Sequence, residues 1–229
     1  MWVVLVAASL TVLAGFYAAM AWYPGDQAWI CGFLAGAFAM MVFAVRQYPP
    51  GVVERWQEGA WGEEFTAKEL ARLSPSAWSV INDVGNGDFN FDHVVVADHG
   101  IYCLNSKKSG CDIVVDTATG GIRMTNRYDP SHSWWDRSLL AQARRDAATL
   151  SDLVFRRSGQ RVWVEPVIVW WGGFAQKGCT ARGVGVVHGP ELTDRLEHVA
   201  KVHHGRPVDR AAVVAALSPG RRRAAGANR

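Results

Sequence analysis

Residues 90–110 hold an acid, an amide and a lysine at spacings that could place all three around one ligand. Two runs rich in β-branched and aromatic residues flank a short break at 98–100, which is typical of a β-hairpin turn. With a two-residue loop, Asp92 lies opposite Asn105, and Lys107 shares their face because side chains alternate along a strand. Opposed Cβ atoms are about 4.5–5.5 Å apart. A shared site is therefore possible, although a three-residue loop with a bulge would shift this register.

Taken singly, these residues also have ordinary structural explanations. Asp92 can be a polar residue that begins a strand, and Lys107 with Lys108 can be a solvated strand end. The hypothesis of a site depends on the combination.

The combination resembles a known arrangement. An acid at the head of one strand and a polar-x-Lys sequence in its partner is similar to the PD-(D/E)xK pattern of restriction-endonuclease-like folds. More narrowly, Phe91–Val96 and Gly100–Lys107 resemble the core of the NERD (nuclease-related) domain family, and the likeness extends to Gly62–Glu64, 142–143 and 184–187. The resemblance implies an α/β (α+β) domain with a central mixed sheet flanked by helices. It also implies metal-dependent phosphodiester hydrolysis of DNA.

The resemblance also implies roles for individual side chains. Asp92 and Glu63 would hold Mg²⁺ or Mn²⁺, helped by the oxygen of Asn105. Lys107 would stabilise developing charge or orient the attacking water. Gln142, beside the apolar stripe of a later helix, would support the site or contact substrate. The candidate catalytic set is therefore Asp92, Asn105, Lys107 and Glu63, with Gln142 as a substrate-binding residue.

Asn105 departs from the family pattern, which has Glu or Asp two residues before the motif lysine. An amide oxygen can coordinate a hard cation, but carboxylates are the usual anchors. Two alternatives follow: an active nuclease, or an inactive nuclease-fold module that binds nucleic acid or protein at the membrane. A small membrane protein concerned with oligomerisation or sensing is a third.

Helical spacing distinguishes Glu63 from Glu64. Glu63 shares a face with Ala67 and Leu70, whereas Glu64 shares one with Lys68. Glu63 is therefore predicted to point inward, as a metal ligand or as a partly exposed acid beside basic residues.

The first 48 residues are apolar enough to enter a membrane. Asp26 is the only charged side chain before Arg46, and apolar runs at 2–22 and 28–45 flank turn residues at 23–27. These runs predict a two-pass transmembrane hairpin. Arg46 then places the following domain in the cytoplasm by the positive-inside tendency.

Two other interpretations of this segment stay open. Ala19-Met20-Ala21 has the spacing of a signal-peptide cleavage site, although no basic region precedes it. A buried hairpin in a soluble protein is the other. The predicted organisation is a hairpin at 1–48, a NERD-like domain at 49–204, and a short helix with a basic tail at 205–229.

Charge and cysteine content narrow the function. The net charge is +3, but the segment from 205 onward has six arginines against one aspartate and contributes +5, so the domain body is slightly acidic. A nucleic-acid binder usually has a basic face, so the body gives no support for one unless its charges cluster locally. The four cysteines have no paired spacing and predict neither a disulfide framework nor a zinc site.

Hydrophobic periodicity predicts elements that would carry these residues. Predicted helices span 52–73, 134–157, 190–198 and 207–217. Predicted strands span 78–82, 112–117, 122–125, 161–171 and 183–188, besides the two of the hairpin. Pro166 lies inside one of these strands, which predicts an edge or a bulge there.

Overall fold

The computed structural model describes residues 51–87, 89–202 and 207–218, with helical positions at 30, 34, 36–38 and 40–42. The chain divides into two compact units, Met1–Glu54 and Arg55–Arg229. Within the described part, every helix is too short or too polar to cross a bilayer. The predicted hairpin lies almost wholly outside the described residues, as does the basic tail from 219, so both stay predictions, as do the domain boundaries.

The second unit is built on a mixed sheet. Its described strands are β1 (Trp78–Gly85), β2 (Asn90–Ala97), β3 (Gly100–Asp116), β4 (Gly121–Asn126), β5 (Ser133–Asp136), β6 (Val164–Phe174), β7 (Gly178–Ala181) and β8 (Val184–His188). Their order is β1-β2-β3-β6-β8-β7, and β4 and β5 extend from the far end of β3. β6 runs parallel to both β3 and β8, and the other pairs are antiparallel.

Helices cover both faces of the sheet. They are α1 (Gly51–Leu70), α2 (Leu139–Ser158), α3 (Leu192–Val202) and α4 (Arg210–Leu217), with a 3-10 turn at Gly189–Glu191. Alternate residues of β2 show the layering: Val95 packs with α1 and α3, whereas Val94 packs with α2 and α4. The prediction of a central mixed sheet flanked by helices is confirmed.

The predicted elements differ from the structure in three places. β3 is one strand of 17 residues that continues through the predicted break at Gly110. Ser133–Asp136 pairs with β4 as a strand, and α2 begins only at Leu139 because the Asp136 carboxylate accepts hydrogen bonds from the N–H groups of Ser138 and Leu139. β7, where the sequence predicted no strand, pairs with β8.

Pro166 lies near the start of β6, an interior strand of the sheet, at a point where one side of the strand is still unpaired, as the predicted edge requires. β6 already pairs with β3 at this point, but its pairing with β8 begins one residue later, at Val167. The proline therefore stands where β6 has not yet gained its second neighbour, and a missing N–H interrupts less of the ladder.

Candidate active site

The register of the β2–β3 hairpin brings Asp92 beside the motif strand. Ala97 pairs with Gly100 and the ladder runs without a shift to His93 and Leu104, which confirms the predicted two-residue loop. Just beyond it, the backbone N–H of Ser106 donates to Oδ2 of Asp92 at 2.9 Å. The half-buried Asp92 carboxylate is thus fixed against β3 between Asn105 and Lys107.

Asn105 joins this strand to helix α2. Its Nδ2 donates to Oδ2 of Asp146 at 3.3 Å, and its Oδ1 is buried without a hydrogen-bond partner in the described structure. Burial raises the pKa of Asp146, the Asn105 hydrogen bond lowers it, and the negative charge of Asp92 raises it. A carboxylate from α2 therefore lies within hydrogen-bond distance of the Asn105 side chain.

Helix α1 approaches the same strand closely at Gly62. A Cβ atom at this residue would lie 3.2 Å from both the Cβ and the backbone nitrogen of Lys108. One turn later, the Thr66 hydroxyl accepts hydrogen bonds from Ser106 Oγ and Trp171 Nε1, each at 2.8 Å, and donates to the Gly62 carbonyl. These contacts dock α1 on β3 and β6 and place Glu63 next to the site.

Glu63 lies at the rim of the site. Partial burial raises its pKa, the carboxylates of Asp92 and Asp83 raise it further, and Lys107 lowers it. Glu64 instead pairs with Lys68 at 2.6 Å on the outer side of α1. Helical spacing thus selected the glutamate nearer to Asp92, but the Glu63 side chain is exposed rather than inward, because Gly62 and Thr66 occupy the buried positions of this turn.

Asp83 is a member of the site that sequence analysis did not find. The β1–β2 ladder pairs Asn82 with His93 and Val84 with Phe91. Asp83 and Asp92 therefore lie between these two pairs, at corresponding positions of the two strands. Asp83 has φ +54°, a left-handed conformation that costs a non-glycine residue about 1–3 kcal/mol. Only its acidic type gave a signal, because strand periodicity does not reveal a local change of backbone conformation.

His93 follows Asp92 on β2, and its side chain lies on the face of the sheet that α1 covers. It is buried, its Nδ1–H donates to Asn82 Oδ1 at 2.8 Å, and its Nε2 has no partner among the described residues. Burial lowers its pKa, while the charges of Asp92 and Asp83 raise it. The histidine helps to hold β1 and β2 together at the point where the acids meet.

Lys107 and Gln142 are the two remaining site residues predicted from the sequence. Lys107 is half-buried, and its charge lowers the pKa values of both Glu63 and Asp146, so it lies within electrostatic reach of both acids. Gln142 lies one turn before Asp146 on the same flank of α2. Its side chain makes no hydrogen bond in the described part of the chain, and its predicted role is untested.

The site is an acidic edge of the sheet with one lysine. The charge of Asp92 acts on both Glu63 and Asp146, and the charge of Asp83 acts on Glu63. Across the described residues, no three His, Cys, Asp or Glu side chains are close enough to form a ready metal site. The oxygen-rich donor set nevertheless includes the unpartnered Oδ1 of Asn105.

The fold is a mixed α/β domain with a central mixed sheet flanked by helices, consistent with a nuclease-like fold. Residues 58–171 match the family model of the NERD (nuclease-related) domain, which supports the domain assignment made from the sequence. The matched range contains every acid of the site, Asn105, Lys107 and Gln142. Comparisons with curated proteins and with solved structures gave no match.

Proposed function

We propose that this chain is a metal-dependent nuclease with a PD-(D/E)xK type of fold, acting on the phosphodiester bonds of DNA. The observation that carries the proposal is the contact between Asn105 and Asp146, because it brings a carboxylate next to the residue at which the motif has lost one. The NERD match at 58–171 suggests a nuclease-related function for the same residues.

The residues present fit a hard divalent cation. Asp92, Asp146 and the Oδ1 atom of Asn105 would supply oxygen ligands, and Glu63 would approach from the rim. These side chains would have to close around the cation, because no three acids of the described residues form a ready site in the metal-free arrangement. Burial is the main cause that raises the pKa values of Glu63 and Asp146, and the nearby Asp92 carboxylate adds to it, so a bound cation would favour the ionised form of both acids. Bound Mg²⁺ or Mn²⁺ would polarise the phosphate and lower the pKa of a bound water.

The chain's own groups have separate tasks in this proposal. Lys107 stabilises the negative charge that develops on the phosphate oxygens. Asn105 orients the Asp146 carboxylate through its amide and leaves its own oxygen free for the cation. Gln142, one turn from Asp146, is placed to contact substrate.

We further propose that residues 1–48 anchor the protein in a membrane with two passes and the domain on the cytoplasmic side. The apolar runs at 2–22 and 28–45 and the single arginine after them support this arrangement.

A catalytically inactive nuclease-fold module is the second candidate. Asn105 favours it, because an amide is a weaker anchor for a cation than a carboxylate. In that case the acidic site would be a remnant and the protein would act by binding.

A plasmid-nicking assay on the full chain in mild detergent separates the two. We expect Mg²⁺- or Mn²⁺-dependent nicking by the wild type, and its loss in Asp92→Ala, Asp146→Asn and Lys107→Met. Glu64→Gln is the matched control, because Glu64 pairs with Lys68 outside the site and its loss should leave nicking unchanged. An inactive wild type that gains nicking only in Asn105→Asp would establish the second candidate.

A further inference from the structure

Three arginines surround a cleft on the other flank of α2. Arg137, Arg144 and Arg182 line a cavity of about 400 Å³ together with the β3–β4 turn at Thr119 and Gly120, and no Asp or Glu lines it. A second cavity of about 320 Å³ shares Arg144 and Arg182 with the first. The domain body has no basic excess as a whole, so this is a local concentration of positive charge.

The three guanidinium groups are available to a ligand. All are exposed, and none makes a hydrogen bond or an ion pair within the described part of the chain. Three unpaired like charges around one concavity repel one another, and an anion bound between them would relieve this repulsion. Arginine is suited to phosphate in particular, because its planar fork can donate two parallel hydrogen bonds.

Arg182 is held in place by two unusual backbone positions. It forms the β7–β8 turn with Gly183, and both residues have positive φ, +49° and +76°. Such a turn prefers Asn, Asp or Gly at its first central residue, so an arginine there is strained. Gly120, with φ +74°, leaves room for the Arg182 side chain, since a Cβ atom would lie 2.5 Å from its Cδ. Strain of this kind is typical of a functional position.

An aromatic side chain lies next to the arginines. Trp163 lines the second cavity and is 72% exposed. Exposed aromatic rings beside basic groups are typical of surfaces that bind single-stranded nucleic acid, because unpaired bases stack on the ring while the cations contact the backbone. A free phosphate carries no group that would stack on this ring. Asp152 also lines the second cavity. It does not line the first, where the arginines are the charged lining residues.

Helix geometry connects the cleft to the acidic site. At 3.6 residues per turn, Gln142 and Asp146 lie on one flank of α2 and Arg144 on the other, with the exposed Arg145 on the outer surface between them. A helix with its side chains is about 10–12 Å thick. A single strand of nucleic acid that crosses the outside of α2 would therefore pass from the arginines to Asp146 within a few nucleotides.

We propose that this cleft binds a single-stranded segment of nucleic acid, with phosphates on Arg144 and Arg182 and a base on Trp163, and feeds it toward Asp146. The proposal rests on the proposed nuclease function for its direction, but the binding itself requires no metal and no cleavage.

The test is fluorescence anisotropy with a labelled single-stranded DNA oligonucleotide and the full chain in mild detergent with EDTA. We expect Arg144→Ala to weaken binding about tenfold and to reduce the slope of log affinity against log salt by about 0.7. Trp163→Ala should weaken binding at least about fivefold. Arg156→Ala, on the same helix but outside both cavities, and Trp134→Ala, an exposed tryptophan of β5, are the matched controls and should bind like the wild type.

Arg182→Asn separates binding from folding. Asparagine adopts the left-handed turn conformation more easily than arginine, so this variant should melt at or above the wild-type temperature while binding about tenfold more weakly. A variant that binds normally would overturn the proposal.

Competition experiments identify the ligand of the cleft, and metal-free binding separates the cleft from the nuclease function. Inorganic phosphate and phosphatidylserine vesicles should compete poorly with the oligonucleotide, and preferential binding of vesicles would overturn the proposal. Failure of Arg144→Ala and Trp163→Ala to weaken binding, or equal weakening by Arg156→Ala, would also overturn it. Metal-free binding that persists in Asp92→Ala, with no nicking by any variant, would refute only the nuclease function.

Discussion

The side-chain amide of Asn105 donates to Oδ2 of Asp146 at 3.3 Å, which joins the motif position of β3 to helix α2. Asn105 is an amide at a position where the nuclease pattern has an acid. Asp146 is an acid at a position that the pattern does not specify. Because the Asn105 oxygen remains unpartnered, the pair offers two oxygen ligands beside Asp92. Several measurable consequences follow from this geometry.

Restoring the motif acid should destabilise the metal-free protein. In Asn105→Asp, a hydrogen bond to Asp146 is replaced by repulsion between two carboxylates, and we expect the free energy of unfolding to fall by about 1–2 kcal/mol at pH 7 in EDTA. Added Mg²⁺ or Mn²⁺ should return the loss, because the cation neutralises the pair. Thermal unfolding with and without metal measures both changes. Equal stability of the variant and the wild type in EDTA would contradict the proximity of residue 105 to Asp146.

Stability should depend on pH through the site acids. The pKa values of Glu63 and Asp146 in the folded state are raised above their ordinary values of 4.5 and 3.8. At a pH between the ordinary and the raised value, the folded state therefore binds more protons than the unfolded state. This contribution to stability therefore decreases as pH rises through that interval and stays low above it. Asp146→Asn should flatten the metal-free profile of melting temperature against pH, whereas Glu64→Gln should leave its shape unchanged.

Gly62 should not tolerate a side chain. In Gly62→Ala, the new Cβ would lie 3.2 Å from the Cβ and backbone nitrogen of Lys108, so α1 and β3 must separate by a few tenths of an ångström next to Glu63. Overpacking of this kind typically costs about 1–3 kcal/mol. Gly59→Ala is the control on the same helix, since a Cβ there meets nothing within 4 Å and should stabilise the helix by about 0.5–1 kcal/mol. Urea unfolding of the two variants tests the difference in sign.

Thr66 should be needed for the docking of α1. In Thr66→Val, the buried Ser106 hydroxyl loses its acceptor and so does the Trp171 indole N–H, and we expect a loss of about 2–4 kcal/mol. Thr149→Val is the control, because the Thr149 hydroxyl bonds only to the carbonyl of Arg145 in its own helix. Chemical denaturation of both variants would contradict this assignment if they lost the same stability.

The strand part of the site was predictable because its geometry is local. A two-residue turn fixes the hairpin register, and the register places Asp92 beside Asn105 without any knowledge of the rest of the fold. The match to the NERD family covers the same residues and supports that part of the prediction.

The helix part of the site could not be predicted in the same way. Asp146 reaches Asn105 across 41 residues of sequence, and the contact depends on the angle at which α2 packs on the sheet. The start of α2 had a usable signal, since the carboxylate of Asp136, three residues before Leu139, accepts hydrogen bonds from the N–H groups of Ser138 and Leu139, but this signal was hidden by the tryptophans of β5. The arginine cleft depends on two turns and a helix that are distant in the sequence.

The most direct test of the account is calorimetric titration of Mn²⁺ into the full chain in mild detergent, comparing wild type with Asp146→Asn, Asp92→Asn and Glu64→Gln. Because Asp92 and Asp146 flank the free oxygen of Asn105, we predict one Mn²⁺ site in the wild type and in Glu64→Gln, and a loss of at least about tenfold in affinity in each aspartate variant. Wild-type affinity in Asp146→Asn would show that α2 supplies no ligand. Absence of binding by the wild type would contradict the metal site as a whole.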